Sequence, residues 1–181
     1  MTNQILFIQG GGDNGFEADT ALVASLQQAL GKEYKINYPK LQSDESASDF
    51  GWIQLIGEKI DETNGDILLV GHSFGASMIL KYLSESPANK RIKGVFLVAT
   101  PFWDGQEDWQ TALQLREDFA DKLPEVPIFF YHCRDDEEIP FTHLQHYKRK
   151  VTSATFRELK SGGHQFNNDL TLVAIDIKSI K

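Results

Sequence analysis

The sequence predicts an α/β chain: an open, mostly parallel β-sheet with helices on both faces. Three observations carry this. Short apolar runs recur at residues 5–8, 67–70, 95–98 and 126–131, with a weaker one at 155–159 and a marginal one at 34–38. Most are continuous rather than alternating, which suits parallel strands buried on both sides. Stretches of helical periodicity lie between them, and strand and helix alternate from end to end, the pattern of a sheet built from crossovers. The 181 residues show no internal repeat, low-complexity segment or linker, so a single domain over 1–181 is expected.

The helices follow from apolar spacing. In residues 17–30, Ala18, Ala21, Leu22, Leu26, Ala29 and Leu30 fall on one stripe. Ile53, Ile56 and Ile60 mark a second helix within residues 50–60. Met78, Ile79, Tyr82 and Leu83 mark a third, with Pro87 just beyond it. Leu144, Tyr147 and Val151 mark a fourth, and Leu170, Val173, Ile177 and Ile180 the last. The irregular stretch, residues 100–124, is expected to form a short lid-like insertion with a helix over 112–123.

Composition narrows the function. Apolar residues make up 41% and charged residues 24% of the chain, with a net charge of −8. So acidic a chain repels phosphate backbones, which argues against nucleic acid as a partner. Cys133 is the only cysteine, so no intrachain disulfide forms, and a cytoplasmic setting fits. The apolar run 5–8 is too short for a signal-peptide core, and no run is long enough to span a bilayer.

The strongest motif is Gly71-His72-Ser73-Phe74-Gly75, preceded by the apolar run 67–70 and followed by helical periodicity. G-x-S-x-G carries meaning in that strand–turn–helix setting. There the serine sits on a tight, strained turn with its hydroxyl exposed above the sheet. Gly71 and Gly75 are expected to approach each other too closely for side chains. The helix that follows aims its N-terminal N–H groups at the site, and the N–H of Phe74 is placed as one oxyanion donor.

A nucleophilic serine needs a general base and an orienting carboxylate, in the chain order serine, acid, histidine for this kind of turn. Of His132, His143, His146 and His164, only His164 follows both a later strand and an acidic turn, and Gly162-Gly163 before it frees its loop. The acidic turn is Asp135-Asp136-Glu137-Glu138. Glu137 and Glu138 read as solvated, while periodicity leaves Asp135 and Asp136 both open.

The first loop, Gln9-Gly10-Gly11-Gly12-Asp13-Asn14-Gly15, formally matches the dinucleotide fingerprint G-x-G-x-x-G. That reading requires an acid at the end of the second strand, where the chain has Asn37-Tyr38-Pro39-Lys40. Gly-Lys-Ser/Thr is missing too, which removes a Walker A loop. The loop fits better as the source of the second oxyanion N–H, from Gly11 or, next to it, Gly12.

Together these segments resemble the α/β-hydrolase superfamily, and within it the small single-domain serine hydrolases of the retinoblastoma-binding-protein-9-like type. The likeness rests on Gln9-Gly10-Gly11, Gly71-His72-Ser73-Phe74-Gly75, Asp136-x-x-Ile139-Pro140 and Gly162-Gly163-His164, and spans residue 5 to about residue 177. Many relatives carry His in place of Gln9. The resemblance implies a three-layer α/β/α sandwich around a six-stranded parallel sheet, without the two N-terminal antiparallel strands of larger relatives. It also implies hydrolysis of an ester, thioester or amide of a small acyl substrate through an acyl-enzyme, with no metal or organic cofactor. Ser73, His164 and Asp136, the last preferred on the D-x-x-Ile-Pro spacing, then form the triad, and Gly11 and Phe74 the oxyanion hole. A non-catalytic binding protein with a vestigial triad is the alternative.

Phe102 and Trp103 either line a substrate pocket or pack a short lid, and Trp109 reads as packing. Cys133 reads as inert. His143 and His146, at i and i+3 without a carboxylate pattern for zinc, read as surface residues. His72 belongs to the elbow, with no proton-transfer role assigned.

Overall fold

The computed structural model describes residues 3–87, 89, 91–105 and 107–180. Six strands form one sheet in the order β2-β1-β3-β4-β5-β6, every neighbouring pair parallel. They are β1 (Asn3–Ile8), β2 (Tyr34–Asn37), β3 (Ile67–His72), β4 (Ile92–Val98), β5 (Ile128–Cys133) and β6 (Thr155–Leu159). All six lie where the apolar runs predict them. β3 and β5 are buried throughout, whereas the edge strands β2 and β6 are only half-buried. That is why the runs at 34–38 and 155–159 are the weak ones: an edge strand meets water and needs less apolar surface.

The helices are α1 (Gly15–Ala18), α2 (Thr20–Leu30), α3 (Trp52–Glu62), α4 (Phe74–Glu85), α5 (Phe119–Lys122), α6 (Thr142–Lys150) and α7 (Thr171–Ser179). Successive residues of a strand face opposite ways. Leu6 and Ile8 therefore pack with Trp52, Ile56, Met78, Phe119 and Tyr147 of α3, α4, α5 and α6. Ile5 and Phe7 pack with Leu22, Leu26, Val173 and Ile177 of α2 and α7. The result is three layers, as the α/β-hydrolase fold requires.

Two expectations change. The helix over 17–30 is broken at Asp19, whose buried side chain accepts the N–H of Gly10 at 2.7 Å. The expected helix over 112–123 is instead a 3-10 helix at Asp108–Leu113 and the single-turn α5. Gln114 is extended between them, and its carbonyl accepts from Nζ of the buried Lys81 of α4 at 2.9 Å instead of from a helical N–H. Among the described residues no helix is long and apolar enough to cross a membrane.

The strand order also locates the site. β2 lies on one side of β1 and β3 on the other, so the chain reverses its winding direction between β1 and β3. In such sheets the loops leaving the carboxyl ends of those two strands diverge and open a crevice. Those loops are the glycine loop and the Ser73 turn.

Candidate active site

Ser73 stands between β3 and α4 with φ 50° and ψ −123°, a conformation that costs a residue with a Cβ about 1–3 kcal/mol. Its N–H donates to Val98 O of the neighbouring strand at 2.8 Å, and its carbonyl accepts from Ala76 and Ser77, so the turn is held from both sides. Gly71 and Gly75 both lack room for a side chain, but not because of each other. A Cβ at Gly71 would lie 2.8 Å from Ala76 Cα, and one at Gly75 would lie 2.2 Å from Gln9 O and 2.6 Å from Ile8 O. Gly75 thus seats α4 against the end of β1.

In the first loop the N–H of Gly10 is taken by Asp19, leaving Gly11 as the next N–H along. A Cβ on Gly11 would come within 3.0 Å of Phe74 Cβ, so the two residues expected to donate to an oxyanion are neighbours. The Phe74 N–H opens α4 and has no helical acceptor. Gln9 is buried, and its Oε1 accepts the Leu41 N–H at 3.0 Å, tying the loop to the chain that leaves β2.

The acidic turn after β5 and the glycine turn after β6 close on each other. His164 Nδ1 lies 3.0 Å from both Asp136 oxygens. Asp135 instead accepts the N–H groups of Gly162 at 3.2 Å and Gly163 at 3.0 Å. Glu137 is exposed, as expected, and also accepts the His164 N–H at 3.0 Å. Asp136 is also held by the N–H groups of Ile139 at 2.8 Å and Glu138 at 3.0 Å. His132 adds a further contact: its Nε2 donates to Ile139 O at 2.9 Å and lies 3.3 Å from Asp136 Oδ2. Sequence reading gave His132 no part here; its place opposite an acid four residues on was the available signal.

Electrostatics follow this geometry. Burial raises the Asp136 carboxyl, but hydrogen bonds from His132, His164 and Ile139 outweigh it and hold the group well below the usual carboxylate range. Burial lowers the His164 imidazole, yet the Asp136 carboxylate, with Glu138 and Glu137 behind it, brings it above its ordinary value. His164 Nε2 lies 3.5 Å from Glu138 Oε2, and no hydrogen bond joins it to the Ser73 hydroxyl among the described residues. Catalytic hydrogen bonds are often long in free enzymes. Burial, with the carboxylates of Asp135, Asp136 and Glu137, pushes the Cys133 thiol up to about 12, which fits an inert cysteine.

Ser73 opens onto a cleft of about 550 Å³. Phe50, Trp52, Phe74, Trp103 and Trp109 give it an aromatic wall, and Asp13, Lys40, Glu45 and Glu138 a polar one. Trp103 is anchored by Nε1 to Ser77 Oγ at 3.0 Å and meets Trp109 edge-on. Trp109 therefore lines the cleft instead of packing inside. Phe102 faces away: its ring stacks on His146 and meets Tyr147, while its N–H donates to the half-buried His143 Nδ1 at 2.8 Å. His143 is thus a partner of the strap after β4 instead of a free surface group. No group of three or more His, Cys, Asp or Glu placed to hold a metal ion occurs among the described residues.

Residues 21–171 match the family model described as serine hydrolase. The chain belongs to that family. A search of the curated proteins gives no match. Among solved structures, this serine hydrolase is similar to SOBER1 of Arabidopsis thaliana, at 16% identity and a TM-score of 0.71, with 98% of each chain covered. It is likewise similar to Est1E of Butyrivibrio proteoclasticus, at 18% identity and a TM-score of 0.71, over 98% of this chain and 86% of the other. A thioesterase domain from the curacin biosynthetic pathway gives 17% identity and a TM-score of 0.72, over 98% and 92%. At such identities the likeness is one of fold, and it is the α/β-hydrolase fold that the six-stranded parallel sheet displays.

Proposed function

We propose that this serine hydrolase cleaves a carboxylic ester of a small, largely apolar substrate through an acyl-enzyme on Ser73. The observation that carries the reading is the pairing of a strained serine at φ 50° in the cleft with an Asp136–His164 couple on the two loops that follow β5 and β6. Ser73 Oγ attacks the ester carbonyl while His164 Nε2 accepts its proton. Asp136 keeps the other ring proton on Nδ1 and stabilises the imidazolium. The N–H groups of Gly11 and Phe74 receive the oxyanion; losing one such donor typically lowers turnover by roughly 10²–10³. His164 then protonates the leaving alcohol, and water, activated by the same imidazole, releases the acid.

The aromatic wall supports an apolar or aromatic group on the substrate. It is consistent with the esterase and thioesterase descriptions of the structural neighbours, one of which was solved with ferulic acid bound. A fluorophosphonate probe tests the reading. The expected result is one adduct, located by mass spectrometry on Ser73 and absent in Ser73→Ala. Folded protein that stays unlabelled overturns the enzyme reading and leaves a binding protein on a hydrolase fold. Labelling that survives in Ser73→Ala overturns the choice of nucleophile.

A further inference from the structure

Beneath the site lies a second aspartate–histidine couple. Asp19 Oδ1 is 2.8 Å from His72 Nδ1, and both side chains are 1% exposed. The approach is off the line of the ring nitrogen, so Nδ1 makes a close contact instead of a directed hydrogen bond. The remaining bonds of the pair are specific. Asp19 Oδ2 accepts the Gly10 N–H at 2.7 Å, and Oδ1 accepts from Gln165 Nε2 at 3.4 Å. His72 Nε2 donates to the backbone carbonyl of His164 at 3.1 Å, and the two rings lie 4.8 Å apart between centroids.

Each bond ends next to a group that the proposed reaction uses. Gly10 precedes Gly11, His72 precedes Ser73, and the third anchor is the carbonyl of His164 itself. The fit is close: a Cβ on Gly10 would stand 3.3 Å from His72 Nδ1 and 3.6 Å from Asp19 Oδ2. Asp19 also interrupts the helical stretch between α1 and α2 to reach this position. A buried polar pair is a poor source of stability, since apolar residues of similar size commonly do as well or better. Its value lies in fixing geometry.

We propose that Asp19 and His72 are positioning residues that hold the glycine loop, the Ser73 turn and the His164 loop in one register. This rests on the serine-esterase reading, because the register concerns Gly11, Ser73 and His164. Misplacing reacting groups by about 1 Å can cost up to roughly 100-fold in rate without touching the chemistry directly. Removing the couple therefore lowers turnover and leaves substrate affinity largely alone.

Asp19→Asn, His72→Asn and His72→Gln test this. Glutamine places an amide nitrogen near Nε2 and keeps the donation to the His164 carbonyl; asparagine mimics the Nδ1 side and loses it. With p-nitrophenyl acetate, Asp19→Asn and His72→Asn are expected to lower kcat by roughly 10- to 100-fold with KM within about threefold, and to slow fluorophosphonate labelling in proportion. His72→Gln restores most of the loss. Hydrogen exchange speeds up at residues 10–12 and 161–166 and not in β3 or β4. Wild-type kcat and unchanged exchange in folded variants overturn the proposal. So does faster exchange throughout the molecule accompanied by a lower Tm, which marks a merely structural pair. If the wild-type protein neither labels nor turns over ester, the esterase reading fails, and exchange alone decides: local loosening of the two loops upholds the positioning role, and its absence overturns it.

Discussion

The carboxylate of Glu137 accepts the backbone N–H of His164 at 3.0 Å, while the preceding residue, Asp136, holds the ring of the same histidine. One residue further back, Asp135 binds the N–H groups of Gly162 and Gly163. Three consecutive acids thus grip three consecutive residues of the facing loop. Glu137→Gln weakens a charge-assisted bond at an exposed position, and about 1 kcal/mol of stability is expected to be lost in urea denaturation. Labelling of Ser73 should slow several-fold, because the His164 backbone is freed while its ring keeps Asp136.

Asp135 and Asp136 separate cleanly by role. Asp136→Asn leaves the shape of the loop but removes the anion beside Nδ1, and turnover should fall by roughly 10⁴, as loss of a triad carboxylate does. Asp135→Asn should keep turnover within about tenfold and lower Tm slightly, since an amide oxygen still accepts from Gly162 and Gly163. Equal effects in the two variants would remove Asp136 from the reaction.

The pH profile follows from the raised affinity of His164 for its proton. General-base action needs the neutral ring, so the acidic limb of kcat/KM should lie above the ordinary imidazole value of 6.5. Glu138→Gln removes one of the carboxylates behind this and should move the limb toward lower pH, by less as salt is added, because Glu138 is exposed. Stability carries opposite signs. The raised His164 contributes below its unfolded value, and that contribution is lost as pH rises through the folded value. The depressed Asp136 contributes above its ordinary value of 3.8, and its share is lost as pH falls. Urea midpoints measured across pH report both.

Gly75→Ala should be among the most damaging single substitutions. The new methyl would meet the carbonyl oxygens of Gln9 and Ile8 at 2.2 and 2.6 Å, and neither backbone can retreat without pulling β1 from α4. A loss of about 3 kcal/mol or more is expected, read as a lower urea midpoint or as insoluble expression.

Much of this was legible in the sequence because the signals are local. Ser73 sits in five residues whose flanks announce a strand and a helix, and the strands appear as apolar runs whose strength tracks their depth in the sheet. Asp19 gives no such signal: it interrupts a regular apolar stripe, and its partners come from three separate places, Gly10 and Gln165 from two loops and His72 from the end of β3. The bond of the exposed Glu137 to the His164 N–H was not legible, because nothing in an acidic turn tells which carboxylates face a loop arriving from the next strand. Phe102 and Trp103 are adjacent and alike in composition; only the hydrogen bond of Phe102 to His143 and that of Trp103 to Ser77 send one ring away from the cleft and the other into it. The helix expected over 112–123 failed at Gln114, whose carbonyl answers to Lys81 of a distant element.

The position of β6 has a consequence for how the protein comes into being. It is one of the two edge strands of the sheet and the last of the six to be made, and His164 follows it. On the ribosome the Ser73 turn, with β1, β3 and α4, is synthesised long before the loop that carries the base proposed for it. Under the mechanism proposed above, an unfinished chain carries a serine that nothing activates, and hydrolytic power arrives only when the β6 edge is added.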